Sequence, residues 1–272
     1  MSQSHELQLH IRKLGEIRSI LNSMKNLALI ETHKLARLQI LQSQAVAAIE
    51  TVINDLLSFY PHLATADAHA PSVCLLVGTE RGFCGDFNEK LIRASIEQGY
   101  TQTIAVGSRL ANKMTDCELE SVTIIAGANV AEEVPLIVNR LIDSIVPASH
   151  HLAIRLTAIY YDSPTQPICQ RQLLPLSPQP SSISNHRHPP LLLNLPPEVF
   201  FSDLLGHYLL AVLHEILYLS LTTENHRRLQ HLEGAVNHLD DETTSLQRKA
   251  QIYRQEEITE EIEVILLNAE NL

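Results

Sequence analysis

The sequence lacks the residues that build aromatic cores and membrane anchors. It contains no tryptophan, and aromatic residues make up 4% of its 272 positions, whereas hydrophobic residues make up 45%. Aliphatic-rich chains of this kind usually build their cores from helix–helix seams. The chain has no run of about 18 apolar residues. Its first residues, MSQSHELQLHIRKLGEI, have no apolar signal-peptide core. We therefore expect a cytoplasmic protein without a membrane-spanning segment.

Cysteine and positive charge are also scarce. The four cysteines (Cys74, Cys84, Cys117 and Cys169) are far apart and form no C-x-x-C pair, which argues against a disulfide framework or a zinc site. The net charge of −11 argues against nucleic-acid binding, because phosphates require many Lys and Arg side chains. Residues 199–272 carry 13 Asp and Glu against 5 Lys and Arg. A solvated helix face is the simpler interpretation of that acidity, and a binding patch is the alternative.

The first 59 residues predict a long helix. Residues 1–57 contain no proline and one glycine, Gly15. Apolar residues recur there in steps of three and four, which is typical of one helix face rather than of a strand. The positions that we expect on this buried face are Leu7, Ile11, Leu14, Ile17, Ile20, Met24 and Leu27, followed by Leu35, Leu38, Leu41, Ala45, Ile49 and Leu56.

Residues 72–176 predict an α/β domain. Short apolar runs alternate with segments of helical periodicity. The strand candidates are residues 72–77, 103–106, 122–126, 151–161 and 168–174, and the helix candidates are residues 88–98, 108–114 and 131–146. Because strands and helices alternate, we expect a Rossmann-like domain with a largely parallel sheet.

A proline-rich stretch separates this domain from the C-terminal segment. Seven prolines lie between Pro175 and Pro197, so we expect a linker at residues 177–197. We interpret the histidines of its NHRHPP tract as loop residues rather than as a metal site. Residues 198–272 contain no proline and predict a helix of roughly 110 Å at ~1.5 Å per residue. Within it, a heptad repeat runs from Asn225 to Tyr253. The seam positions are Asn225, Leu229, Leu232, Val236, Leu239, Thr243, Leu246, Ala250 and Tyr253.

The two long helices are natural partners for one another. The N-terminal helix is the segment whose length and pattern suit the C-terminal helix, so we expect an antiparallel coiled coil flanking the α/β domain. Residues around Leu14 to Met24 should then lie against residues around Val236 to Tyr253. Such a rod transmits force or spaces partners, and we expect no catalytic site, no cofactor and no metal ion in this chain.

The segment from Gly78 to Asn88, GTERGFCGDFN, has an unusual glycine spacing. It follows a predicted strand and precedes a helix, which is where dinucleotide-binding folds hold phosphates. The spacing G-x-x-x-G-x-x-G is neither G-x-G-x-x-G nor a P-loop. We interpret the segment as a tight strand-to-helix turn, in which Gly82 and Gly85 serve backbone geometry and close helix–sheet approach. Nucleotide binding is the alternative.

The same segment resembles a motif of the gamma subunit of F-type ATP synthases. The matching residues are Thr79, Arg81, Gly82, Cys84, Gly85, Phe87 and Asn88. Other matches follow the family's order and extend over the whole chain: Met24 and Lys25 in the N-terminal helix, residues 172–176 in the last strand, Arg254, Gln255, Ile258, Thr259 and Glu261 in the C-terminal signature, and Ala269. The chain departs from the family at Val264 and Asn268, and its acidic C-terminal helix resembles the divergent gamma subunit of an alternative ATPase gene cluster.

The resemblance implies a central-stalk rotor. In that family the paired helices form an axle inside alternating alpha and beta subunits, and the α/β domain sits on a membrane ring of c subunits, with epsilon as a further partner. Ion flow turns the axle, which biases each beta site in turn. The residues that the resemblance assigns to contacts with the alpha–beta hexamer are Met24, Lys25, Arg254, Gln255, Ile258, Thr259 and Glu261. The nucleotide sites belong to the partners, and the complex lies on the cytoplasmic face of the bacterial inner membrane.

Two other interpretations stay open at this point. A cytoplasmic scaffold or adaptor would dimerise through the rod and bind a partner with its α/β head. In that case the same helix from two copies would pair, whereas an axle pairs its own two helices. A nucleotide-binding enzyme is the third interpretation, and ATP or NAD binding to the isolated chain would test it.

Overall fold

Two long helices and a five-stranded α/β layer make up the chain. The computed structural model describes residues 3–64, 70–115, 121–148, 154–163, 168–176 and 192–270. Cys117, the first three residues of the strand candidate 151–161, and residues 177–191 of the proposed linker lie outside that part. The elements are α1 (Gln3–Phe59), β1 (Ser72–Val77), α2 (Phe87–Ile96), β2 (Gln102–Val106), α3 (Ser108–Met114), β3 (Val122–Ile125), α4 (Val134–Ala148), β4 (Arg155–Tyr161), β5 (Ile168–Leu174) and α5 (Pro197–Glu270).

The strands form one sheet in the order β3–β2–β1–β4–β5. β1 pairs in parallel with β2 and β4, and β2 pairs in parallel with β3. β5 is antiparallel to β4. The prediction of a largely parallel sheet is therefore confirmed. The carboxyl ends of β1, β2 and β3 lie at one edge, which is where open α/β sheets generally place their functional groups.

Helices cover both faces of the sheet. Val73, Leu75 and Val77 of β1 pack in one core with α1, α4 and α5. Cys74 and Leu76, which alternate with them, pack in a second core with α2 and α3. This alternation follows the two-residue period of a strand. Because β1 is buried on both faces, its sequence SVCLLV is a continuous apolar run.

The chain divides into two compact units, one made of Met1–Leu29 with Arg228–Leu272 and the other of Ile30–Arg227. In the first unit α1 and α5 pair within one chain. Arg18 Nη2 lies 3.1 Å from Asp240 Oδ2, and Lys25 Nζ lies 4.0 Å from Glu233 Oε1. Because the partner number falls as the α1 number rises, the two helices are antiparallel. The predicted intramolecular pairing is confirmed.

The seam of the pair follows strict heptads on both helices. On α5 the predicted seam positions are buried or half-buried from Asn225 to Ala250, whereas the last of them, Tyr253, is 37% exposed. On α1 the predicted face is partly wrong, because Ile17, Ile20 and Leu27 are 46%, 60% and 59% exposed. Leu41, at 66%, and Ala45 were also predicted on this face and are exposed. Leu7, Ile11 and Leu14 are buried or half-buried as predicted, and Ser4, Leu21 and Ala28 are the further apolar or small seam positions. The seven-residue repeat also assigns seam positions to Arg18 and Lys25, the two cations that pair with α5.

One part of α5 differs from the expectation about membrane spans. Within Pro197–Leu266 an 18-residue window reaches a mean hydropathy of 1.5, which is apolar enough to cross a bilayer, but 61% of that window is buried inside the protein. Tyr208, Val212 and Ile216 of α5 belong to the core between this helix and the sheet. By its contacts, this stretch is a core helix of the α/β layer.

Candidate functional site

The turn after β1 combines close packing with unusual backbone angles. A Cβ atom added at Gly78 would lie 2.6 Å from Leu110 Cβ and 2.7 Å from Asn88 Oδ1, so the approach of helix to strand requires glycine there. Gly85 has a φ of 61° and Phe83 a φ of 64°, which is the left-handed region that non-glycine residues avoid. At Gly82 an added Cβ meets no atom within 4 Å. The expectation that Gly82 serves close helix–sheet approach is therefore wrong, because that approach occurs at Gly78.

Thr79 and Asn88 fasten the two ends of this turn to each other. The backbone N–H of Thr79 donates to Asn88 Oδ1 at 3.0 Å. Asn88 Nδ2 donates to Thr79 Oγ1 at 2.8 Å. Both residues are buried, being 1% and 5% exposed. The end of β1 and the first turn of α2 are thus held at a fixed distance by two hydrogen bonds that water does not reach.

The carboxylate of Glu80 binds two neighbouring loops at the C-terminal ends of the parallel strands. It accepts hydrogen bonds from the backbone N–H and the hydroxyl of Ser108, at 2.8 and 2.7 Å, at the start of α3. It also accepts one from the backbone N–H of Gly127, at 2.7 Å, in the loop after β3. An added Cβ at Gly127 would lie 3.1 Å from Glu80 Oε2. This carboxylate therefore satisfies the donors after β2 and after β3.

A second carboxylate reaches the same turn from α5. Glu224 is 3% exposed. Its two oxygens accept hydrogen bonds from the backbone N–H groups of Glu80, at 3.3 Å, and Arg81, at 3.1 Å. Hydrogen bonds to an ionised acceptor are about twice as strong as neutral ones. The turn after β1 is therefore attached directly to the C-terminal helix.

A third carboxylate attaches the same edge to α1. Glu31 accepts a hydrogen bond from the backbone N–H of Ala131 at 3.2 Å. One turn further along α1, Lys34 forms an ion pair with Glu132, and its hydrogen bond lowers the pKa of the Glu132 carboxyl below the ordinary value. We call Glu31, Glu80 and Glu224 the carboxylate clamp. Together they connect α1, α5 and the loops after β1, β2 and β3.

The carboxylate clamp bears directly on the nucleotide interpretation. In dinucleotide-binding folds, the backbone N–H groups at this edge of the sheet bind phosphates. In this chain, carboxylates of the protein itself accept hydrogen bonds from the N–H groups of Glu80, Arg81, Ser108 and Gly127. A phosphate would have to displace them and meet their negative charge. The geometry supports a structural turn rather than a nucleotide site.

A second attachment lies on β5, at the opposite side of the sheet from β3. Arg171 donates to Glu50 of α1 at 2.7 Å and to Glu215 of α5 at 2.9 Å. The side chain of Glu215 is 10% exposed, so the pair with Arg171 is shielded from solvent. The two carboxylates raise the pKa of the Arg171 guanidinium against the opposing effect of its burial. Both long helices are therefore bound to β5 as well as to the loops after β1, β2 and β3 that the clamp connects.

The residues predicted as partner contacts lie at two separate places on the helices. Met24 and Lys25 are half-buried on α1, and the Lys25 side chain pairs with Glu233. The others are exposed on α5, at Arg254, Gln255, Ile258, Thr259 and Glu261. Glu233 and Arg254 are 21 positions apart on one helix, or about 30 Å at ~1.5 Å per residue. The structure does not bring the two groups together.

Within the second group, contacts are local or missing. Thr259 Oγ1 donates to the carbonyl oxygen of Gln255 at 2.9 Å, a bond that any helical threonine can form. Among the described residues, Arg254 forms no ion pair with protein carboxylates.

Sequence analysis did not identify the clamp glutamates. Glu80 lies within the quoted motif, but nothing in an acidic helix distinguishes Glu224 from its solvated neighbours.

Comparisons with known proteins agree with this architecture. A family model described as ATP synthase matches residues 3–272. No curated protein sequence matches significantly. Among solved structures, a chain of the Euglena gracilis mitochondrial ATP synthase OSCP/F1/c-ring has a TM-score of 0.64 at 15% identity, covering 98% of this chain and 93% of that one.

Two further solved structures have the same fold. A chain of the Euglena gracilis mitochondrial ATP synthase rotor has a TM-score of 0.60 at 15% identity, covering 94% of this chain and 98% of that one. A chain of the Tetrahymena thermophila mitochondrial ATP synthase central stalk and c-ring has a TM-score of 0.52 at 13% identity, covering 79% and 99%. Since the family model spans nearly every residue, the chain belongs to the ATP synthase family, as a gamma subunit.

Proposed function

We propose that this chain is the central-stalk rotor subunit of an F-type ATP synthase, where it couples ion flow through a membrane ring to ATP synthesis or hydrolysis at sites on its partners. The observation that carries the proposal is the antiparallel pairing of α1 and α5 within one chain, at Arg18–Asp240 and Lys25–Glu233. An axle pairs its own two helices, whereas a scaffold dimer would pair one helix from each copy. This observation favours the axle.

The clamp and the Arg171 contacts support a mechanical role. Within Ile30–Arg227 these contacts attach α1 and α5 to the sheet at two places, the loops that follow β1 and β3 and the strand β5. A torque applied to the α/β domain would therefore reach both helices through hydrogen bonds and packed side chains rather than through a flexible linker. A packed interior of this kind deforms little, so a rotation is transmitted and not absorbed.

The exposed end of α5 supports a surrounding partner. Beyond the seam, Ile258, Ile262 and Ile265 are 47%, 51% and 66% exposed. Contiguous apolar surface of this kind usually marks a protein interface. We propose that alpha and beta subunits cover it, and that Arg254, Gln255, Thr259 and Glu261 contact them, as do Met24 and Lys25 on α1. The α/β domain would contact epsilon and the c-subunit ring.

The chain is a component of an enzyme complex, and we propose that it contributes no catalytic group of its own. The internally satisfied donors at the sheet edge support this, since they leave no phosphate site at the glycine turn. Its place would be peripheral to the membrane sector. For a bacterial complex, that is the cytoplasmic face of the inner membrane.

Co-purification tests the proposal. An affinity-tagged chain expressed in its native host should recover alpha, beta, epsilon and c subunits in a complex that hydrolyses ATP. The purified chain alone should be a monomer without ATPase activity. Recovery of a homodimer with none of these subunits would favour the scaffold instead.

A further inference from the structure

A cleft on the α2 side of the sheet gathers positive charge. It has a volume of about 400 Å³ and is lined by residues of α2, of the strands β4 and β5, and of α5. Three of its lining residues are cations: Lys90 and Arg93 on α2, and Arg227 on α5. The rest of its lining is Ala94, Glu97, Tyr161 and Ile168. None of these residues belongs to the carboxylate clamp.

Arg227 is held over an aromatic floor. Its guanidinium carbon lies 4.4 Å from the ring centroid of Tyr161 and 5.3 Å from that of Phe87, within the range of a cation–π contact. Its Nη1 lies 3.3 Å from Asp86 Oδ1, and the side chain is 16% exposed. The cation is therefore positioned in advance, which reduces the side-chain entropy that Arg227 would lose when a ligand binds.

Asp86 is shared between two of the three cations. It lies 2.6 Å from Lys90 Nζ and 3.3 Å from Arg227 Nη1. In the part of the chain that the structure describes, Arg93 forms no ion pair. Even with Glu97 included, the three cations outnumber the carboxylates. The cleft keeps a net positive charge, which favours an anion.

The hydroxyl of Tyr161 is a buried donor without an acceptor. Tyr161 lines the cleft and is 1% exposed. Its polar neighbour is the Arg227 guanidinium, which is itself a donor, and no described residue lies in hydrogen-bonding geometry with the oxygen. Buried polar groups nearly always have a hydrogen-bond partner, so an exception calls for an explanation. A bound acceptor would supply one.

We propose that this cleft binds a small phosphate ester. Its phosphate would lie among Lys90, Arg93 and Arg227 and accept a hydrogen bond from the Tyr161 hydroxyl, because arginine forks and lysine are the usual phosphate ligands. Ala94 and Ile168 would contact its organic part. The volume of about 400 Å³ falls within the range of about 300–1,000 Å³ for ligand sites. Since Arg227 belongs to α5, the bound ester would also join that helix to α2.

Calorimetry on the purified full chain at low salt tests the ligand chemistry. The probes are phenyl phosphate, AMP and inorganic phosphate. The two esters should bind at least about tenfold more tightly than inorganic phosphate. Tighter binding of AMP than of phenyl phosphate identifies a nucleotide as the ester, and the reverse order identifies a simpler ester. Equal affinity for inorganic phosphate, or no saturable heat from any probe, overturns the proposal.

Three variants test the site itself. Arg93→Ala should weaken ester binding by about tenfold or more, whereas Arg140→Ala, at an exposed arginine of α4, should leave it unchanged. Tyr161→Phe should weaken binding without lowering the melting temperature of the unliganded chain, because the hydroxyl donates to no acceptor there. Equal losses in the two arginine variants, or full affinity in Tyr161→Phe, would assign the binding elsewhere. These outcomes do not depend on the rotor function.

Discussion

Glu224 on α5 holds the backbone N–H of Arg81 at 3.1 Å, although the two residues are 143 positions apart. The contact connects the turn after the central strand to the C-terminal helix. It places a buried carboxylate where a dinucleotide fold would place a phosphate. The glycine-rich segment that carries the family motif is therefore an attachment point for the helix.

Substituting Glu224 tests this attachment. Glu224→Gln keeps the size of the side chain and removes its charge. The variant should lose about 1.5–3 kcal/mol of unfolding free energy, the usual contribution of a hydrogen bond to a charged group, and thermal unfolding would measure the loss. The matched control is Glu233→Gln, whose carboxylate is 66% exposed and 4.0 Å from Lys25. The control should change stability by less than about 0.5 kcal/mol, and equal losses in the two variants would contradict the clamp.

The antiparallel pair makes a prediction about crosslinks. Arg18 and Asp240 face each other across the two helices. Cysteines at both positions, joined by a short bismaleimide, should therefore crosslink within one chain and shift its mobility in a denaturing gel without doubling its mass. The single variants, which retain the native cysteines, should show no such shift. Crosslinks that form between chains alone would refute the axle.

The two glycines at the start of the motif should respond differently to alanine. At Gly78 the new methyl group would lie 2.6 Å from Leu110 Cβ, so the helix must move or the strand must distort. Such overpacking costs about 1–3 kcal/mol. A Cβ added at Gly82 would meet no atom within 4 Å, and Gly82 has no positive φ, so alanine there should be nearly neutral. Melting temperatures of the two variants give the comparison; an equal or larger loss at Gly82 would contradict the assignment of the close approach to Gly78.

The sequence predicts the α/β layer well because its signals are local. β1, α3 and β5 begin and end where the sequence predicts, at Ser72–Val77, Ser108–Met114 and Ile168–Leu174. Each is a short segment of one periodicity bounded by glycine, proline or polar residues. The pairing of the long helices is also predictable, since each needs a partner of its own length.

The continuation of the α1 seam beyond Leu14 and the clamp were not predictable from the sequence, for a common physical reason. From Leu14 the apolar face can be continued in steps of three through Ile17 and Ile20, or in steps of seven through Leu21 and Ala28, and the partner helix decides between them. Arg18 and Lys25 take seam positions because Asp240 and Glu233 face them. Glu224 can be buried because the backbone N–H groups of Glu80 and Arg81, far away in sequence, donate hydrogen bonds to it. Long-range pairing of this kind leaves no periodic signal.

Arg254 carries the functional prediction at the end of α5. It is exposed, and among the described residues no carboxylate pairs with it, so the local pairing that would make it a structural residue is not formed. If it instead reaches a beta-subunit loop, removing it costs about 1.5–3 kcal/mol at that contact. Arg254→Ala should therefore leave the melting temperature of the isolated chain unchanged. In a reconstituted complex it should lower ATP-driven ion pumping more than ATP hydrolysis. Arg248→Ala, at an exposed arginine earlier on the same helix, controls for the loss of positive charge. A fall in melting temperature with intact coupling, or equal effects of both variants on coupling, would assign Arg254 no specific contact.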